Sequence, residues 1–172
     1  MEGKLYLICG DDDYLVDTAA RERINQLVPE ADREFGVEIV DGQRDTADEI
    51  TEAVNACMES VQTPGFFGAI KVTWFRDVTF LTGGGRSAGT IAAKEAVQKL
   101  TTWLKGGLLS GQTLIITTTK VLRNSTFFKT CQQQGEIQDF GSGHKAWELE
   151  KLAGERVDIL FEQAGLTVDA NA

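Results

Sequence analysis

Apolar residues along the chain alternate between two patterns, short dense runs and stripes with helical spacing. Dense runs are typical of strands buried on both faces of a parallel sheet. Stripes that recur every three or four positions predict amphipathic helices. Because the two patterns alternate, the sequence predicts an α/β fold with a mainly parallel five-stranded sheet. The predicted strands are Leu5–Cys9, Val37–Val40, Ile70–Phe75, Thr113–Thr118 and, after a glycine, Glu136–Phe140.

Each predicted helix has a recognisable start or stop. The triplet Asp11–Asp13 follows the first strand, and its carboxylates are suited to cap the free amides of a helix that ends before Pro29. Thr46 and Glu49 have the spacing of a capping box. Two further helices are expected, one from about Thr90 to Leu104 and one from Ser125 to Gly135, and the glycine-rich segment 82–89 reads as a loop.

The last thirty residues carry a separate helical pattern. It ends at Gly165, a plausible helix C-cap, and Asp169 is a good N-cap for a helix that the sequence does not contain. We therefore expect an α/β domain over residues 1–142 and, over residues 143–172, the start of a small helical domain that has been cut short.

Charge is distributed unevenly and narrows the candidate functions. The net charge is -9, with 16 acids and 5 bases in residues 1–60 against 4 acids and 9 bases in residues 61–140. An acidic first third is a poor surface for a phosphate backbone, so direct DNA binding is not expected. Three scattered cysteines argue against disulfides or structural zinc, and no run has transmembrane length or the form of a signal peptide. These features indicate a cytoplasmic protein.

Chemistry for nucleotide binding or catalysis is missing from the expected places. A phosphate loop needs glycines and a lysine after the first strand, whereas this chain has Gly10 followed by three aspartates, which would repel a triphosphate. The single histidine, His144, lies at a predicted helix entrance and leaves no complete catalytic triad. We expect no enzyme activity, cofactor or metal.

One alternative remains open on the residues alone. Asp12, Asp77 and Lys120 all follow predicted strands, and open parallel sheets bind ligands at that edge. Their arrangement resembles a magnesium-binding receiver domain of phospho-signalling systems. The sequence that follows Asp77 lacks the tight turn usual in such domains.

The segment most suggestive of a binding site is Gln62-Thr63-Pro64-Gly65-Phe66-Phe67. Two adjacent aromatic residues in an extended segment point to opposite sides and cannot both face the core. Proline and glycine place them in a bend between a helix and a strand, where they form an exposed apolar tip. We interpret this segment as a docking peptide whose aromatic rings enter a pocket on a partner. The competing interpretation is that one or both rings cover the core.

The order of these motifs resembles the delta subunit of the bacterial DNA polymerase III clamp loader. The resemblance extends over nearly the whole chain. Its motifs are Tyr6–Leu15, Val40–Gly42, Pro64–Gly68, Val72–Asp77, Thr113–Lys120 and Gly165–Asp169.

The resemblance implies an AAA+-like three-layer fold with a degenerate, non-ATP-binding site. It also implies a non-catalytic role in the replisome, in which residues 62–67 enter a cleft of the sliding clamp (beta) and help to open the ring. The implied partners are the clamp, the gamma/tau and delta prime subunits, and primed DNA through the assembled complex only. Membrane association is not implied.

Overall fold

The computed structural model describes residues 3–65, 70–82 and 89–141. Five strands lie close to their predicted positions, each shifted by no more than a residue or so at its ends. Their bounds are β1 (Lys4–Gly10), β2 (Val37–Asp41), β3 (Lys71–Arg76), β4 (Gln112–Thr118) and β5 (Glu136–Phe140).

Of the five α-helices in the described residues, four were predicted and one was not. The predicted ones are α1 (Asp13–Leu27), α3 (Ala47–Gln62), α4 (Ile91–Lys105) and α5 (Thr126–Gln134). A 3-10 turn at Glu30–Asp32 and a single-turn helix α2 (Arg33–Gly36) were not predicted, since segments this short have no periodic pattern.

The predicted caps form as expected. Asp12 is the N-cap of α1, and Thr46 and Glu49 form both hydrogen bonds of the capping box of α3. Gly135 ends α5, and a side chain there would collide with the carbonyl oxygen of Leu5. The turn from α5 into β5 therefore requires glycine.

All the strand pairs are parallel, and the order across the sheet is β2-β3-β4-β1-β5. Side chains alternate between the two faces, as strand geometry requires. One face of the sheet packs on α3, α4 and α5 through a core that includes Leu7, Phe75 and Ile116. The other face packs on α1 through residues such as Ile8 and Trp74. The predicted three-layer α/β fold is confirmed.

The three cysteines belong to this core. Cys9, Cys57 and Cys131 are buried and free, and burial raises the pKa of Cys9 and that of Cys131 to about 12. Their thiols are therefore protonated at neutral pH.

The sheet and its helices form a unit that spans Met1–Phe140. Residues 142–172, which include His144 and all of the predicted helical domain, lie outside the described residues, so that domain stays a prediction. No helix in the described ranges is both long enough and apolar enough to span a bilayer.

Candidate functional site

The turn between β1 and α1 is the position where many parallel α/β proteins hold phosphate. Here only Asp11 and Asp12 separate the last strand residue from the first helical one. The Asp12 carboxylate accepts hydrogen bonds from the backbone amides of Tyr14 at 2.9 Å and Leu15 at 3.1 Å. These are the free N–H groups that a helix start offers to an anion. A phosphate would have to displace a carboxylate that belongs to the chain itself.

A crevice of about 480 Å³ lies beside this turn and is dominated by carboxylates. Asp13, Asp17 and Asp77 line it, with Arg76 as the basic residue among them. The Arg76 guanidinium lies 3.1 Å from a carboxylate oxygen of Asp17 and 3.3 Å from one of Asp77. It also lies 5.2 Å from the centre of the Trp74 ring. The Arg76 cation is thus already paired with two carboxylates of the chain. Because the remaining charge of the crevice is negative, it repels polyphosphate.

Asp77 has an unusual backbone, with a φ of 54°. Its amide donates to the Thr117 hydroxyl at 3.0 Å, and the indole N–H of Trp74 donates to the same oxygen at 3.1 Å. Partial burial raises the pKa of Asp77 above its ordinary value, while Arg76 acts in the opposite direction. Thr117 therefore holds the exit of β3 in a fixed left-handed turn.

A second, smaller pocket of about 210 Å³ lies where β1 and β4 end side by side. The helices that follow these two strands lie on opposite faces of the sheet, which makes this the topological switch point where ligands usually bind. Asp11, Lys120 and Arg123 line the pocket, and Arg123 forms two hydrogen bonds, of 2.7 and 2.9 Å, with Asp139.

The residues of the receiver-like alternative are not brought into one site. Asp12 caps α1, Asp77 faces the crevice with Arg76, and Lys120 lines the other pocket. Within residues 3–65, 70–82 and 89–141, no three His, Cys, Asp or Glu side chains come together as a metal site would require. The geometry does not favour this alternative.

The segment predicted as a docking peptide begins at the end of α3. Gln62 is the last helical residue and is exposed, as are Thr63 and Pro64, while Gly65 is partly exposed. The Thr63 amide is bonded to the carbonyl oxygens of Glu59 at 2.9 Å and Ser60 at 3.2 Å. The two aromatic residues, Phe66 and Phe67, lie outside the described residues, so the predicted exposure of their rings stays a prediction.

Sequence reasoning did not single out Lys71, the first residue of β3. Its ammonium group lies 2.7 Å from the Ser60 carbonyl oxygen, 3.1 Å from that of Thr63 and 2.7 Å from a carboxylate oxygen of Glu38. A lysine at the start of an apolar strand looks like an ordinary surface residue. The feature that could have pointed to Lys71 is that α3 has no basic residue in its own last turn, so that a cation from elsewhere is favourable there.

Comparison with known proteins identifies a family. The family model described as "DNA polymerase III, delta subunit" matches residues 6–139. Among solved structures, the Bacillus subtilis DNA clamp loader delta protein (YqeN) is similar, with a TM-score of 0.54 and 16% sequence identity. The match covers 80% of this chain and 38% of that one, and at this identity it shows a shared fold alone. No curated protein matches the chain.

Proposed function

Since the chain belongs to the DNA polymerase III delta subunit family, we propose that it is part of a non-catalytic clamp-loader subunit that binds the sliding clamp and helps to open it. The observation that carries this proposal is the bend at residues 62–65. It has three exposed residues at the end of α3, and a pair of phenylalanines follows it in the sequence.

The proposed docking tip is Gln62, Thr63, Pro64, Gly65, Phe66 and Phe67. Two phenylalanine side chains that leave water contribute roughly 3–6 kcal/mol of binding energy, before the costs of association are subtracted. Gln62 is exposed at the end of α3 and, in this proposal, would form hydrogen bonds at the rim of the pocket. Opening of the ring then follows if the tip binds the open form of the clamp more tightly than the closed form.

The carboxyl edge of the sheet supports a role without nucleotide chemistry. The Asp12 carboxylate accepts hydrogen bonds from the backbone amides that would otherwise bind a phosphate, and the neighbouring crevice is acidic. As the family resemblance implies, this domain would be a degenerate AAA+ domain. ATP would then act in partner subunits, such as gamma/tau, and this chain would contribute binding energy only. Delta prime and, through the assembled complex, primed DNA complete the proposed partners, and the proposed setting is the cytoplasmic replisome.

The test is binding of the whole chain to the purified sliding clamp from the same organism, measured on a surface with the clamp immobilised. Phe66→Ala combined with Phe67→Ala is expected to weaken binding by at least a hundredfold, since each hot-spot aromatic contributes at least about 2 kcal/mol. The circular dichroism spectrum should not change.

The matched control removes two apolar side chains that are exposed elsewhere. Ile91, at the start of α4, is 77% exposed, and Leu109, which precedes β4, is 71% exposed. Alanine at both positions should leave clamp binding as it is in the wild type. If the wild-type chain does not bind the clamp, or if the tip variant binds as well as the wild type, the proposed function is wrong.

A further inference from the structure

Helix α3 ends without a cation of its own. Asp48 and Glu49 lie in its first turn, where negative charge is favourable, but its last turn contains no basic residue. The last carbonyl groups of a helix are free and carry partial negative charge. Lys71 of β3 supplies the missing cation from outside the helix, with hydrogen bonds to the carbonyl oxygens of Ser60 and Thr63.

Lys71 is held from its other side by β2. Its ammonium group forms a 2.7 Å ion pair with Glu38, and only 11% of the Lys71 side chain is exposed. The hydrogen bond from Lys71 is the main reason that the pKa of Glu38 lies below its ordinary value. One ammonium group therefore joins the end of α3 to the two strands at one edge of the sheet.

A second, buried contact fixes the same helix end. The hydroxyl groups of Ser60 and Thr73 lie 2.8 Å apart, and both residues are almost completely buried. This contact holds the last full turn of α3 against β3. The Lys71 contact to Thr63 reaches further along the chain, beyond the last helical residue.

We propose that Lys71 is a positioning residue for docking on the clamp, an inference that rests on the proposed function. Thr63 is both the C-cap of α3 and the second residue of the docking tip. By holding its carbonyl oxygen, Lys71 fixes the direction in which the chain leaves the helix towards the aromatic pair. A tip that is held in its binding direction loses less entropy on docking, and its apparent affinity rises with the fraction of molecules in the competent state.

The test compares Lys71→Met, Lys71→Arg and the wild type for binding to the purified sliding clamp. Methionine keeps an unbranched apolar stem and removes the charge. We expect Lys71→Met to bind the clamp roughly tenfold more weakly. A loss of this size corresponds to about a tenth of the molecules keeping the docking tip in the orientation that binds. Arginine keeps several donors and a fixed charge, so Lys71→Arg should recover most of the affinity.

Lys99 provides a matched control, since it is another lysine that bonds to α3. Its ammonium group donates to the side-chain oxygen of Asn55 at 2.7 Å, in the middle of the helix and away from the tip. Lys99→Met should bind the clamp as the wild type does. An equal loss in both variants would overturn the inference, because it would show a general effect of charge.

Hydrogen exchange of the Thr63 amide provides a readout that does not depend on the clamp. This amide is protected by bonds to Glu59 and Ser60, and Lys71→Met should accelerate its exchange by roughly tenfold if the helix end is released. Unchanged exchange overturns the inference.

If the wild type binds the clamp, the alanine tip variant does not and Lys71→Met binds normally, only the role of Lys71 is wrong. If the wild type does not bind, the proposed function is wrong as well.

Discussion

Thr117 shows how one hydroxyl group can join two strands and fix a turn. It is completely buried near the end of β4, and its oxygen accepts hydrogen bonds from the Trp74 indole and the Asp77 amide. Its carbonyl oxygen accepts a third bond, from the Val78 amide at 2.8 Å. A hydroxyl oxygen has two lone pairs, so the Thr117 hydroxyl oxygen accepts as many hydrogen bonds as it can. The left-handed turn at Asp77 depends on it, because such a backbone is otherwise unfavourable for a residue with a side chain.

We predict that Thr117→Val destabilises the fold by about 1–3 kcal/mol. Valine has nearly the same shape but leaves the buried indole N–H of Trp74 without an acceptor, and it also removes a partner of the Asp77 amide. The measurement is urea-induced unfolding followed by circular dichroism. Thr117→Ser keeps the oxygen and should lose less stability than Thr117→Val. The opposite order would show that the methyl group, not the hydroxyl, is what matters.

At the scale of single elements, the four predicted helices could be located because their starts depend on local contacts. Each start depends on a side chain and a backbone amide within three residues of each other, as with Asp12 in α1 and Ser125 in α5. Such contacts can be inferred from spacing alone. The turn at Glu30–Asp32 and helix α2 were missed because they are too short to show a periodic pattern and neither has a side-chain cap at its start.

The capping box of α3 leads to a prediction at this scale. Thr46→Ala should destabilise the protein by about 0.5–2 kcal/mol, since the Thr46 hydroxyl caps the Glu49 amide. Thr51→Ala, within the same helix, is the control. The Thr51 hydroxyl donates back to the Ala47 carbonyl oxygen of the same helix, so alanine there should be neutral or slightly favourable.

The same pair of variants has a defined pH dependence. The hydrogen bonds from Thr46 keep the pKa of Glu49 below its ordinary value of 4.5. A carboxyl group whose pKa is lowered by folding stabilises the folded state at pH values above its ordinary pKa. This contribution is lost as the pH falls through the lower pKa of the folded state. The difference between the wild type and Thr46→Ala should therefore shrink below pH 4.5 in urea unfolding. A difference that grows in acid would contradict the capping assignment.

At the scale of the whole molecule, the order β2-β3-β4-β1-β5 decides which residues meet. Because α1 and α5, the helices that follow β1 and β4, pack on opposite faces, the turn after β1 lies at the switch point between these two strands. The end of β3 lies one strand further away, beyond β4. This spacing places Asp77 and Lys120 in separate pockets, although both follow strand ends in the sequence.

We predict that the chain binds neither ATP·Mg nor an acyl-phosphate mimic with magnesium. In isothermal titration calorimetry, neither ligand should give saturable heat at millimolar concentration, because Asp12 occupies the amides at the start of α1 and the crevice beside it is acidic. Saturable, magnesium-dependent heat that is lost in Asp77→Asn would instead support phosphate handling at the carboxyl edge.

The sequence by itself determined the number and type of strands and the starts of four helices, because these depend on side-chain period and on contacts within one helical turn. It also indicated the docking segment through an aromatic pair beside proline and glycine. Only the tertiary structure decided that Lys71 caps α3 and that Thr117 holds Asp77. These contacts join residues 8 to 40 positions apart, and their partners are selected by strand order and register, which no local pattern encodes.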